Sequence, residues 1–161
     1  MALVDKGGYL SDTSSWENIK KNLMKGKDLN LDLGFFPGSN YGSENDNLPV
    51  AQVAQYNEEG TPDNPMRPFM RYFINALKKD KKFGKEVALL VSKVAVGEIT
   101  WQQLYATIGT KLSADLKKVI SDWETPPNSL KTQEQKGRND PLVWTGKMRD
   151  SVEWRLGKRG K

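Results

Sequence analysis

The stretch DLNLDLGFF, residues 28–36, alternates Leu29, Leu31, Leu33 and Phe35 with Asn30, Asp32 and Gly34. A period of two sends apolar side chains to one face of an extended chain and polar ones to the other, so it predicts a half-buried strand. Near the other end, Val152, Trp154 and Leu156 alternate with Glu153 and Arg155 in the same way. Two strands with one apolar face each predict a single antiparallel sheet that needs helices to cover it.

Those helices are legible between the strands. Ser14 to Lys25 reads as a short amphipathic helix with Trp16, Ile19 and Leu23 on one face, and Gly26 closes it. Met66, Phe69, Met70, Phe73, Ile74 and Leu77 form one helical stripe, with lysines at 78–82 toward its C-terminal end. Phe83, Val87, Leu90, Val91, Val94 and Ala95 form a second, ended by Gly97. Trp101, Leu104, Tyr105, Ile108, Leu112, Leu116, Val119, Ile120 and Trp123 form a longer third, with Thr100 as its cap and Pro126 and Pro127 as its stop. Residues 50–58 fit a short helix or a strand equally well. PGSNYGSENDN (37–47), EGTPDNPMRP (59–68) and PPNSLKTQEQKGRNDP (126–141) are polar, rich in Gly and Pro, and read as loops. In TGKMRDS, residues 145–151, Thr145 caps a helical turn, Met148 points inward, and the strand follows at Val152. The expected fold is α+β: a small antiparallel sheet packed against three to four helices, with long polar loops. At 161 residues the chain is long enough for one domain, residues 1–161, with 1–13 and 157–161 as extended arms.

Composition narrows the function. Hydrophobic residues make up 37% and charged residues 28%, a foldable balance, and no run approaches the length of a membrane span. The N-terminus lacks the cationic start and apolar core of a secretion signal. The chain has no cysteine and no histidine, which removes disulfides, thiolate nucleophiles, the usual zinc ligands and every triad built on an imidazole base. FPGSNYGS lacks the lysine and hydroxyl of a phosphate loop, SENDN lacks calcium-loop spacing, and Glu58 and Glu59 are adjacent and diverge. No catalytic residues, no metal ligands and no cofactor follow from the sequence, and an enzyme is not expected.

Charge is unevenly placed. The net charge is +5, yet residues 44–63 carry −5, residues 65–85 carry +6 and residues 145–161 carry +4. Signed patches of this kind suit contacts with neighbouring subunits or with a polyanion. The aromatics of the basic stretches lie mostly on the apolar stripes, which weakens a reading as a small DNA-binding module.

Two blocks of sequence carry a resemblance. PPNSLKTQEQKGRNDPLVWTGKMRDSV is similar to the pattern P-P-N-S…T…K-G…P-L-[IV]-x-T-G-x-[LM]-x-x-S-[IV], through Asn128, Ser129, Lys136, Pro141, Leu142, Thr145, Gly146, Met148 and Ser151 among others. VAQYNEEGT followed by PMRPFMR is similar to V-A-x-x-N-E-[FY]-G-T…P-x-R-P-F-[LM]-R, through Asn57, Glu58, Gly60, Arg67, Pro68, Phe69 and Arg71. Both patterns belong to a family of tailed-bacteriophage virion proteins, the neck, tail-completion or minor tail components, which this chain resembles over about two thirds of its length. Glu59 departs from the family's aromatic and Trp144 from its common acid.

The resemblance implies a non-enzymatic ring subunit of the head–tail junction, found in the virion and assembled in the host cytoplasm. Its implied partners are copies of itself, connector, adaptor or head-closure proteins on the head side, and tail terminator or tail tube proteins on the other. Non-specific contact with genome DNA in the ring lumen is a further expectation; a membrane is not. Tail terminator and head-closure protein of the same junction are the rival roles. Lys158, Arg159, Lys161, Tyr41, Lys136 and Arg138 are the expected subunit-interface residues.

Overall fold

A computed structural model describes residues 3–4, 10–11 and 13–159 of the chain, with side chains from residue 15 onward except that of Glu44. β1 (Leu3–Val4) and β2 (Leu10–Ser11) pair antiparallel, Leu3 opposite Ser11 and Val4 opposite Leu10. There follow α1 (Thr13–Met24), β3 (Leu29–Gly34), α2 (Val50–Glu59), α3 (Phe69–Lys79), α4 (Lys81–Val96), α5 (Trp101–Ser121), α6 (Leu130–Lys136), α7 (Lys147–Asp150) and β4 (Glu153–Lys158). β3 and β4, the two alternating stretches, are neighbours in a two-stranded antiparallel sheet. The fold is α+β.

The four helices expected from apolar stripes are α1, α3, α4 and α5. The ambiguous stretch at 50–58 is helical, as α2. A correction falls in the expected loop 126–141, which holds α6. That helix buries none of its residues; its ends are set by local chemistry instead. The Ser129 hydroxyl accepts a bond from the Thr132 amide at 3.3 Å, and Gly137 takes the left-handed conformation (φ 67°) that ends the helix.

The chain forms two compact units. The first comprises Met1–Leu31, Lys81–Ile108 and Leu156–Lys161; the second comprises Asp32–Asp80 and Gly109–Arg155. In the first, α1 packs against α4. The Asn22 side chain donates to the Ala95 carbonyl at 3.2 Å, and the Trp101 indole N–H donates to the Asn22 carbonyl at 2.9 Å. Thr100 and Gln103 close a reciprocal capping box at the start of α5, each accepting from the other's backbone amide at 3.2 and 2.8 Å. The Tyr105 hydroxyl donates to the Leu29 carbonyl at 3.2 Å, which ties α5 to the start of β3. Among the described residues of this unit, Val94 and Leu104 are the deeply buried apolar side chains. Trp16 is 65% exposed and Met24 54%, so the apolar side of α1 is only partly covered.

The second unit holds most of the core: Val50 and Ala54 of α2, Phe69 and Phe73 of α3, Leu112, Leu116 and Ile120 of α5, then Leu142, Val143, Met148 and Val152. Phe35 meets Phe69 edge-to-face at 6.2 Å. Within the expected α3 stripe, Met66 stays half exposed because it precedes the helix, and Ile74 stays outside the buried face. At Gly109 of α5 the Trp154 ring of β4 lies where a side chain would begin, so any Cβ there would overlap the indole. Gly109→Ala is therefore expected to lower stability by about 1–3 kcal/mol. Trp154→Leu in the same background is expected to relieve the overlap and recover part of that loss. Denaturant midpoints of the three proteins check both statements.

Candidate functional site

The residues of the two signature blocks meet in the second unit. Asn57 and Glu58 lie in the last turn of α2, and Gly60 follows it at φ 77°. A Cβ on Gly60 would come within 3.0 Å of the Met66 backbone nitrogen, so the position combines a left-handed turn with a close approach that glycine alone accepts without strain. Pro68 then opens α3, where a missing N–H costs nothing. The first amides of that helix still need acceptors. Glu58 supplies them: its carboxylate accepts from the Met70 amide at 2.8 Å and the Arg71 amide at 3.1 Å. The same carboxylate pairs with the Arg71 guanidinium at 3.0 Å. An anion at a helix start is also favoured by the helix dipole.

Arg67 is the central residue. It is 4% exposed, and burial lowers its pKa from the ordinary arginine value without discharging it. Its backbone N–H donates to the Asn57 carbonyl at 2.6 Å. Its side chain donates to the Pro126 carbonyl at 3.0 Å, the Pro127 carbonyl at 3.2 Å and the Asn128 side-chain oxygen at 3.5 Å. Prolines have no N–H to give, but their carbonyls are good acceptors, and the planar guanidinium fork reaches two in succession. The segment beyond is held in turn. The Asn128 amide donates to the Asn139 side chain at 3.0 Å, and Gln133 donates to the Asn128 carbonyl at 2.7 Å.

The second block continues the same pattern. Leu142, Val143 and Met148 are buried, and Gly146 turns the chain at φ 86° into α7. The Thr145 hydroxyl accepts from the Lys147 amide at 3.3 Å, but the cap of α7 is Gly146, so Thr145 stands one residue ahead of the cap position expected for it. Ser151 shares a hydroxyl–hydroxyl bond of 2.9 Å with Ser39.

A cavity of about 460 Å³ brings six of the expected residues together: Tyr41, Asn57, Pro141, Leu142, Thr145 and Met148. No Asp, Glu, Lys or Arg lines it. The Asn57 side chain donates to the Val53 carbonyl at 2.9 Å, and burial pushes the Tyr41 phenol up while the Met148 backbone opposes that shift. Such a lining offers shape and hydrogen bonds, and no acid–base pair. Among the described residues no group of three or more Asp or Glu side chains is placed to hold a metal ion.

The other expected interface residues are dispersed. Lys136 is half-buried, donates to the Asp140 carbonyl and stands 5.5 Å over the Trp144 ring; burial lowers its pKa. Arg138 pairs with Asp140 at 2.8 Å and donates to the Trp144 carbonyl at 3.3 Å, so both bases bind within their own loop. Lys158 is exposed on β4, and Arg159 is exposed with its amide donating to the Asp28 carbonyl at 2.8 Å. Lys161 lies outside the described residues. One surface was not anticipated, a groove between α3 and α5 where Tyr72 and Trp123 meet edge-to-face at 5.7 Å. The clue available was Trp123 at the end of its stripe and Tyr72 beside, but outside, the stripe of α3.

No protein-family model, curated protein or solved structure matches this chain.

Arg67→Met is expected to cost about 2 kcal/mol or more, since it strands the Pro126 and Pro127 carbonyls inside the fold. Arg67→Lys keeps the charge, loses the fork, and is expected to fall between wild type and Arg67→Met. Glu58→Ala removes the acceptor at the start of α3 and is expected to cost about 1 kcal/mol. Urea unfolding followed by helical circular dichroism ranks the four proteins.

Proposed function

We propose that this protein is a structural subunit of the head–tail junction of a tailed bacteriophage, a neck or tail-completion component that forms an oligomeric ring and joins the head connector to the tail. The observation that carries the reading is the mutual engagement of the signature residues. Asn57, Glu58, Arg67, Arg71, Asn128 and Thr145 bond to backbone or to one another, with Arg67 crossing from one block of the resemblance to the other, and Ser151 bonds to the Ser39 hydroxyl. Polar residues of a catalytic motif would keep reactive atoms facing a substrate site. Here they serve the fold, as the signature of a scaffold protein requires. Function then falls to surfaces, and the protein acts by adhesion with no chemical turnover.

The partners in this reading are copies of the same chain, connector or head-closure proteins, and tail terminator or tube proteins. The exposed Lys158 and Arg159 form a basic end suited to such a contact. Deleting residues 157–161, or making Lys158→Glu with Arg159→Glu, is expected to reduce the fraction of heads joined to tails and the infectious titre at least about tenfold, with heads and tails made normally. Electron microscopy of lysates reads this directly; normal joining by both variants would reject the role of that end.

A second reading, contact with genome DNA, rests on how charge divides. The described residues of the first unit hold ten bases and four acids, whereas those of the second hold thirteen bases and fourteen acids. The excess positive charge thus lies wholly in the first unit, as a phosphate-contacting surface would have it. Retention on DNA that falls steeply with salt is the expected result, and a flat salt response contradicts it.

A further inference from the structure

Two surfaces, one in each compact unit, are complementary in shape of chemistry. On α1, Trp16, Lys20 and Met24 follow one another at four-residue spacing, with Leu23 beside them. Trp16 and Met24 are 65% and 54% exposed, Lys20 stands in solvent between them, and Lys21 is exposed on the adjoining flank of the helix. Asn22, which bonds to α4, marks the opposite side of the helix. A tryptophan this exposed, flanked by cations, is a typical anchor for a protein partner.

The second unit carries the groove between α3 and α5, about 530 Å³ in volume. Its apolar wall includes Phe73, Leu77, Val119 and Trp123, and its rim carries Asp80, Asp115, Asp122 and Glu124 against one base, Lys118. Lys78 and Lys79 of α3 do not line it. Asp115 pairs with Lys111 at 3.7 Å, and Asp122 pairs with Lys118, both at exposed positions. Pairs of that kind are worth little in water, so their carboxylates can be shared with an incoming cation.

We infer that the groove of one copy receives α1 of a second copy, with Trp16 against the apolar wall and Lys20 and Lys21 against the acidic rim. The two surfaces differ, so the contact is heterologous: each copy offers one helix and one groove, and repetition gives a ring where the rotation between copies closes. This deepens the ring reading proposed above and rests on it for its biological setting, but the contact itself is a property of the purified chain.

The test uses the full chain in sedimentation velocity over a concentration series. Wild type is expected to associate beyond a monomer, more weakly as salt rises. Trp16→Ala is expected to weaken association at least about tenfold with unchanged helical circular dichroism. Lys20→Glu with Lys21→Glu, and separately Asp115→Lys with Asp122→Lys, are each expected to leave monomers. Mixing those two charge-reversed proteins is expected to restore association, since every contact in an alternating assembly then pairs opposite charges. A wild type that stays monomeric, a Trp16→Ala protein that associates as wild type does, or a mixture that stays monomeric overturns the inference. Presence of the protein in phage particles is read separately by mass spectrometry of purified virions. Association without virion presence would retain the contact and remove the junction role; virion presence with normal association of the variants would do the reverse.

Discussion

Everything in the larger unit hangs on a cation taken out of water. The Arg67 side chain is buried against the segment after α5, and three oxygens from residues 126–128 replace water it has lost. An uncompensated charge at that depth would not be tolerated. The proline carbonyls are held for it by the turn in which they lie, and the turn is held by Arg67. This reciprocity joins segments sixty residues apart and explains why P-x-R-P-F and P-P-N-S occur in one chain. Glu58 adds the second tie, between the end of α2 and the start of α3. With these ends fixed, Phe69 and Phe73 point into the core beneath α5.

The two units solve the problem of stability differently. The second buries a conventional core and is nearly neutral in charge. Among its described residues the first buries few apolar side chains deeply, uses backbone acceptors such as the Asn22 and Leu29 carbonyls, and carries the positive excess. A surface that keeps a tryptophan and several lysines in solvent costs little to order in a partner's groove, since the helix that carries it is already formed.

Much of the fold was legible in the sequence because periodicity reports burial. The alternation at 29–35 and 152–156 identified β3 and β4, although the β3 leucines are only half-buried and Leu156 stays exposed, and the long stripe from Trp101 to Trp123 identified α5 and its buried Leu112, Leu116 and Ile120. The helix at 130–136 was not legible, because a helix that buries nothing leaves no stripe; its caps, Ser129 and Gly137, were the signal available. At the candidate site the motif residues could be named in advance, but their partners could not. Nothing in the spacing of Arg67 and Pro126 says that one donates to the other, since the pairing depends on how α3 and α5 pack. The α3–α5 groove was invisible for the same reason: its acids belong to helix faces that periodicity treats as solvated.

The central claim is that this chain works by fitting against copies of itself and adjoining virion parts. Cryo-electron microscopy of the intact phage particle tests it most directly. The account predicts density for this α+β fold repeated as a ring between head and tail, with neighbouring copies in contact through unlike surfaces. Particles whose junction contains no such density, with the protein recovered only as a free monomer in the lysate, would contradict it.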